Sequence, residues 1–94
     1  METYLCPVCG YDRLESPPQD WSICPCCLTE FGYSDYKRSH AALRAEWIAN
    51  GAKWGDPSTP KPPHWNPIKQ LRHVGYDVTP AEHMLIEGQA VRNP

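Results

Sequence analysis

Two short cysteine motifs decide the fold of this chain: Cys6-Pro7-Val8-Cys9-Gly10-Tyr11 and Cys24-Pro25-Cys26-Cys27. Both contain the pattern Cys-Pro-x-Cys, and 14 residues separate Cys9 from Cys24. In a turn of this kind two thiolates point inward and grip one ion, while nearby backbone N–H groups donate hydrogen bonds to the sulfurs. Two such turns predict a tetrahedral four-sulfur site, with zinc–sulfur distances of about 2.3 Å.

The fifth cysteine leaves a choice of ligands in the second turn. Cys24 and Cys27 repeat the spacing of the first turn, whereas Cys26 falls inside the turn. This symmetry predicts Cys26 as the spare residue and four ligands: Cys6, Cys9, Cys24 and Cys27. A further thiolate is electrostatically disfavoured beside a dianionic site, so we interpret Cys26 as inert. Leu28 stands where the first turn has Gly10, which leaves open a different exit from the second turn.

The predicted site is structural and its predicted cofactor is zinc. Four thiolates leave no open coordination position, and such sites contribute on the order of 10 kcal/mol to the folding of small zinc domains. The histidines stand at unrelated spacings without a helical i, i+4 pair, so we predict none as a ligand: His40, His64, His73 and His83. No nucleophile, base and orienting group form a recognisable set, so we predict no enzymatic activity and no catalytic residue.

Length and composition indicate one small domain. The chain has 94 residues, 11 of them proline, and a domain of this size buries a small core. A run of about 18 apolar residues, which a membrane span needs, is missing from the sequence. The first residues lack the basic start and apolar run of a signal peptide, so we expect a cytoplasmic location and no membrane partner. Clustered cysteines there indicate metal more often than disulfides.

The formal net charge of −2 hides a division between two parts of the chain. Residues 1–35 sum to −5 and residues 36–94 sum to +3. Four thiolates with one divalent cation make the first part more negative, which is unfavourable for binding a phosphate backbone. A nucleic-acid-binding zinc ribbon is the alternative function, by analogy with other ribbons. It would need these basic residues to converge on one face: Lys37, Arg38, Arg44, Lys53, Lys61, Lys69 and Arg72.

The predicted fold is a small α+β metal-stabilised domain. Residues 1–35 form the zinc-ribbon part, in which short strands such as Trp21-Ser22-Ile23 pair beside the two turns. Residues 36–94 form a helical and proline-rich part that packs on the ribbon, so the chain is one domain overall.

A main helix is predicted over residues 36–50, capped by Ser34 or Asp35 and ended by Gly51. Its apolar face follows a 3.6-residue period: Tyr36, His40, Leu43 and Trp47. The opposite face is predicted to be solvated: Lys37, Arg38, Arg44 and Glu46.

Two short helices follow the proline-rich residues 55–67. Asn66-Pro67 is typical of a cap followed by proline at the first helical position, and that helix is predicted to end near Gly75. Thr79-Pro80-Ala81-Glu82 has the spacing of a capping box and predicts a last helix that reaches Gly88.

The first turn resembles that of rubredoxins, which would make the chain an iron electron carrier. Rubredoxins have a much longer spacer between their turns and a glycine after the last ligand, and both features are missing here. Zinc is therefore preferred over iron.

The chain as a whole resembles the bacterial cysteine-rich CPCC family of small uncharacterised proteins. The resemblance covers roughly residues 4–71 and rests on these segments: Cys6-Pro-Val-Cys-Gly-Tyr11, Ile23-Cys-Pro-Cys-Cys27, Glu30-Phe-Gly-Tyr33, Trp47, Gly51-Ala-Lys-Trp54 and Trp65-Asn-Pro-Ile-Lys-Gln-Leu71. It implies a zinc-binding domain with no established activity.

These observations predict a non-enzymatic zinc-binding protein that serves as a protein-interaction module. Four tryptophans are many for so small a core. A tryptophan left at the surface would mark the interface with a protein partner.

Overall fold

The helices of this chain all begin after the cysteine motifs. The computed structural model describes residues 2–91, and the side chains of residues 2–86. It contains α1 His40–Ala49, α2 Pro67–Leu71, a 3-10 turn Arg72–Val74 and α3 Pro80–Val91. Residues 2–39 carry no helix and form turns around the cysteines. None of these helices is long and apolar enough to cross a membrane.

The predicted strands beside the cysteine turns are wrong. Across residues 2–91 the β pairing is limited to two isolated antiparallel bridges, Tyr4 with Leu14 and Ile23 with Glu30. Each bridge closes the ends of one cysteine turn. The first cannot extend into a ladder, because the spacer beyond Leu14 soon reaches adjacent prolines, which have no N–H to donate. The described part of the chain is therefore a three-helix domain without strands.

Helix α1 begins four residues later than predicted. Ser39 caps it by accepting a hydrogen bond from the N–H of Ala42 at 3.0 Å. The predicted caps, Ser34 and Asp35, instead accept N–H groups of the turn that precedes the helix, at 3.1 and 2.7 Å. Tyr36 therefore lies outside the helix and is 73% exposed, so it does not belong to the apolar face.

The starts of α2 and α3 lie where the sequence predicts them. The side chain of Asn66 accepts two N–H groups of the first turn of α2, and Pro67 is the first helical residue. At α3, Thr79 and Glu82 form a reciprocal capping box, with N···O distances of 2.9 and 3.2 Å. Helix α3 continues past Gly88, its predicted end.

The core lies between α1 and the cysteine turns. Helix α1 contributes Trp47 and Ile48, and α3, which packs against α1, contributes Ile86. The cysteine turns and the residues beside them supply most of the other buried side chains: Cys6, Val8, Cys9, Tyr11, Leu14, Cys24, Cys26 and Phe31. Cysteine side chains therefore form a large part of this small core.

The proline-rich residues 55–67 are bracketed by two tryptophans, Trp54 and Trp65, that pack against the core. The rings of Trp54 and Trp65 meet edge to face, with centroids 5.6 Å apart. Tyr11, from the first cysteine turn, meets Trp54 in the same way at 5.4 Å. This aromatic row joins the segment to the first cysteine turn.

Candidate metal centre

Four cysteine sulfurs converge on one point. Their Sγ atoms all lie within 4.8 Å of one another: Cys6, Cys9, Cys24 and Cys27. Two of the separations, Cys6 to Cys27 and Cys9 to Cys24, are 3.8 Å. A tetrahedron of sulfurs about 2.3 Å from a central ion has edges of about 3.8 Å. All five cysteines are free of disulfides, so this donor set fits one metal ion.

The two cysteine turns share one backbone geometry. The N–H of Gly10 donates to the carbonyl of Cys6 at 3.0 Å, and the N–H of Leu28 donates to the carbonyl of Cys24 at 2.8 Å. Both residues have positive φ, +85° at Gly10 and +62° at Leu28. A left-handed conformation costs a leucine roughly 1–2 kcal/mol, so the turn prevails over its local preference. The second cysteine turn therefore ends in the same left-handed conformation as the first, and the different exit that the sequence left open at Leu28 is not found.

Cys26 lies outside the cluster and contacts Gln70 of α2. The side chain of Cys26 is fully buried, and its Sγ lies 3.3 Å from Nε2 of Gln70. The same Nε2 donates to the carbonyl of Cys9 at 3.1 Å, while Oε1 accepts from the indole N–H of Trp65 at 2.7 Å. Gln70 therefore ties the first cysteine turn, the spare thiol and the aromatic row together.

Arg44 grips the first cysteine turn from α1. Its Nε donates to the carbonyl of Val8 and its Nη2 to the carbonyl of Pro7, both at 2.8 Å. Its guanidinium also lies over the ring of Tyr76, 5.6 Å from the centroid. The prediction of a solvated face is therefore wrong for Arg44. It lies four positions before the buried Ile48, so it shares the inner face of the helix, where its stem can pack and its head can reach carbonyls.

His73 holds the end of the same turn. Its Nδ1 lies 2.8 Å from the carbonyl of Gly10, so the ring proton belongs on Nδ1. Together with Arg44 and Gln70, which we call the clamp residues, it occupies four consecutive carbonyls, from Pro7 to Gly10. The sequence predicted none of these contacts. No histidine of the described residues joins the sulfur cluster.

The packed sulfurs shift one another's pKa in opposite directions. Hydrogen bonds, first of all with Cys24, lower the pKa of Cys27. Hydrogen bonds with the same neighbour, followed by the other thiols and burial, raise the pKa of Cys9. Ionisation of one thiol therefore opposes ionisation of the next. An ion held by all four sulfurs would displace the remaining protons.

Cys27 is the one member of the cluster with exposed surface. Cys6, Cys9 and Cys24 are fully buried, whereas Cys27 is partly exposed. Its Sγ lies 3.2 Å from the hydroxyl of buried Thr29. A thiolate accepts hydrogen bonds without donating any, so in the metal-bound cluster the hydroxyl is the donor.

A groove of about 890 Å³ opens beside Cys27. We call it the Trp21 groove, after its tryptophan at the surface, which is 62% exposed. Its apolar walls are Trp21, Leu28, Tyr33, Tyr36, Leu43 and Trp47. Among the tryptophans, Trp47 is buried while Trp54 and Trp65 are partly buried, so the exposure of Trp21 is exceptional.

Comparison with known proteins relates the chain to an uncharacterised protein. It is 34% identical over 77 residues to YozI of Bacillus subtilis (strain 168), in an alignment that covers 57% of this chain and 64% of that relative. The chain thus spans less than two thirds of the relative's length. No family model and no solved structure matches. The resemblance to the CPCC family stays a prediction, and the chain is a distant relative of a protein whose activity is not known.

Proposed function

We propose that this protein holds one zinc ion in a structural four-cysteine site and serves as a non-enzymatic protein-interaction module. The sulfur cluster carries the first half of this proposal, because its 3.8 Å separations equal the edges of a zinc–thiolate tetrahedron. Four protein donors complete that coordination and leave no position for water or substrate. A zinc-binding domain without activity is also what the resemblance to the CPCC family implies.

Of the two sequence arguments for zinc over iron, one remains. The left-handed Leu28 supplies the exit that a glycine provides in rubredoxins, so the missing glycine no longer argues against iron. The short spacer between Cys9 and Cys24 still argues against iron. We expect the purified protein to be colourless and native mass spectrometry to find one zinc per chain. A red protein with one iron per chain would refute the assignment of zinc and leave the ligand set intact.

The ligand set is tested by substituting single cysteines. Cys27→Ser is expected to lose the metal, and Cys26→Ser is the matched control, because the neighbouring thiol lies outside the cluster. Metal content by native mass spectrometry is the measurement. Loss of metal in Cys26→Ser with retention in Cys27→Ser would overturn the proposed ligands.

The interaction module is proposed from the Trp21 groove. An exposed tryptophan beside an apolar groove is typical of interface anchors, which bury large rings in a partner. Affinity capture from the source cell is expected to retain a protein on the wild-type chain and to lose it with Trp21→Ser. Met84→Ser is the control, because Met84 is 76% exposed and lies away from the groove. Equal capture by all three chains would refute this role for the groove.

The alternative of nucleic-acid binding has less support, because several of the basic residues it needs are engaged within the chain. Arg44 donates to backbone carbonyls, Arg38 pairs with Glu46 at 3.1 Å, and the ammonium of Lys61 lies over the ring of Trp65 at 5.7 Å. We expect no binding to DNA or RNA at low salt, where phosphate contacts are strongest. Salt-sensitive binding by the metal-loaded protein would favour the alternative.

A further inference from the structure

We propose that Cys27 is the oxidation site of the metal centre, that its substrate is a hydroperoxide, and that Cys6 resolves the oxidised sulfur as a disulfide. This inference rests on the proposed function in one respect, since release of the ion presumes that an ion is bound. The order in which the sulfurs react depends on the arrangement of the chain alone.

Access to the cluster is one-sided. Three of the four sulfurs belong to residues with no exposed surface, whereas Cys27 is partly exposed and lines the Trp21 groove. The opposite side is closed, because the clamp residues bind the backbone of the first turn and Gln70 lies against Cys26. A small oxidant that enters from solvent therefore meets Cys27 first.

The chemistry balances in two steps. The thiolate of Cys27 attacks one peroxide oxygen, so an S–O bond forms, the O–O bond breaks and hydroxide or alkoxide leaves with the electron pair. Cys27 is thereby oxidised to a sulfenic acid and the peroxide is reduced. The thiolate of Cys6 then attacks that sulfur, an S–S bond forms, and the S–O bond breaks to release hydroxide.

Cys6 is assigned as the resolving residue because its pairing with Cys27 divides the four sulfurs into two close pairs. Its Sγ lies 3.8 Å from that of Cys27, and the remaining pair, Cys9 with Cys24, is also 3.8 Å apart. The disulfide removes two of the four donors, and two thiolates hold a divalent ion much more weakly than four do. Oxidation at the exposed ligand is therefore coupled to loss of the ion.

Thr29 restrains this reaction. Its hydroxyl donates to the Cys27 thiolate at 3.2 Å and draws charge from the nucleophile. Thr29→Val removes the hydroxyl at nearly constant volume, and we expect Cys27 to react about tenfold faster. Thr29→Ser should restore the slow rate. Thr59→Val is the matched control, because the hydroxyl of Thr59 donates to Asp56 and lies outside the cluster.

The test starts from the full chain, whose metal content is first measured by native mass spectrometry. Hydrogen peroxide is then added, release of the ion is followed with a chromogenic chelator, and free thiols are alkylated at intervals. Trypsin cleaves after Arg13 and so separates the two cysteine turns. Tandem mass spectrometry of the linked peptides then identifies which cysteines are joined.

We expect a Cys6–Cys27 disulfide that forms at the rate at which the ion is released. Three results would each overturn the proposal. The first is a first-formed disulfide without Cys27, and the second is release of the ion while Cys27 is still reduced. The third is a Thr29→Val chain that is folded by circular dichroism yet reacts no faster. A chain that carries no metal before peroxide is added would refute the proposed zinc site instead, and the order of oxidation would still be read from the peptides.

Discussion

Gly10 of the first cysteine turn lies against the backbone of α2, and Gly10→Ala tests that contact. A Cβ built at Gly10 would lie 2.2 Å from the carbonyl oxygen of Gln70, more than 1 Å inside ordinary van der Waals contact. The opposing atom is backbone and cannot rotate away. Gly75 is the matched control, since its φ of +73° resembles the +85° of Gly10 while nothing lies within 4 Å of its Cβ position.

The expected cost follows from two contributions. A left-handed alanine loses roughly 1–2 kcal/mol, partly offset by about 0.4–1 kcal/mol from the stiffer unfolded chain, so Gly75→Ala should cost about 1 kcal/mol. Gly10→Ala carries the same cost and must also displace α2. That displacement strains the three hydrogen bonds of the Gln70 side chain, each contributing about 1 kcal/mol. We expect Gly10→Ala to cost about 3–4 kcal/mol.

Thermal unfolding at a fixed excess of zinc measures the difference, because bound metal adds the same stabilisation to both variants when their affinities are equal. A gap of about 2–3 kcal/mol corresponds to about 8–24 °C in Tm for a domain of this size. Zinc affinity is measured separately by competition with a chelator. Equal Tm values for Gly10→Ala and Gly75→Ala would refute the close approach of α2 to the first cysteine turn.

Three further predictions concern the clamp residues and the cluster. Arg44→Met keeps the apolar stem but loses two hydrogen bonds to carbonyls, so urea unfolding should show a loss of about 2–3 kcal/mol. The exposed Arg38→Met should lose less than about 1 kcal/mol, and equal losses would contradict the clamp. Gln70→Leu leaves the partly buried indole N–H of Trp65 without its partner and should cost about 2–4 kcal/mol in the same assay, a result that a neutral substitution would contradict. Acidification should release the metal, because protons compete with the ion for the thiolates and the stabilisation that accompanies the lowered pKa of Cys27 is lost as the pH falls; chelator assays that find weaker binding as pH rises would contradict this sign.

The sulfur cluster and the starts of two helices could be predicted because their signals are local. A Cys-Pro-x-Cys turn specifies its own geometry within a few residues, and Asn66 and Thr79 each have one helix start within reach. At α1 the sequence offers several capping residues in a row, and Ser34 and Asp35 are drawn into the preceding turn, which leaves Ser39 to cap the helix. A choice between equivalent local partners is settled by the tertiary structure.

The clamp residues could not be predicted, because they bind backbone carbonyls. Every residue of a turn presents a carbonyl, so neither Arg44 nor His73 leaves a pairing signal at the positions it contacts. The missing strands have a related cause. A short apolar stretch beside a turn predicts extended backbone, but a ladder needs successive N–H groups in register, and the turns here supply one bridge each.

The clamp residues lie 36 to 63 positions after the carbonyls they bind. This separation determines which contacts can form first during synthesis. The chain leaves the ribosome from its N-terminus, so both cysteine turns emerge before α2 exists. At that stage the inner side of the two turns is not yet covered by α2. Closure of that side waits for Gln70 and His73, so an ion bound by the two turns would be taken up early in synthesis and enclosed only later.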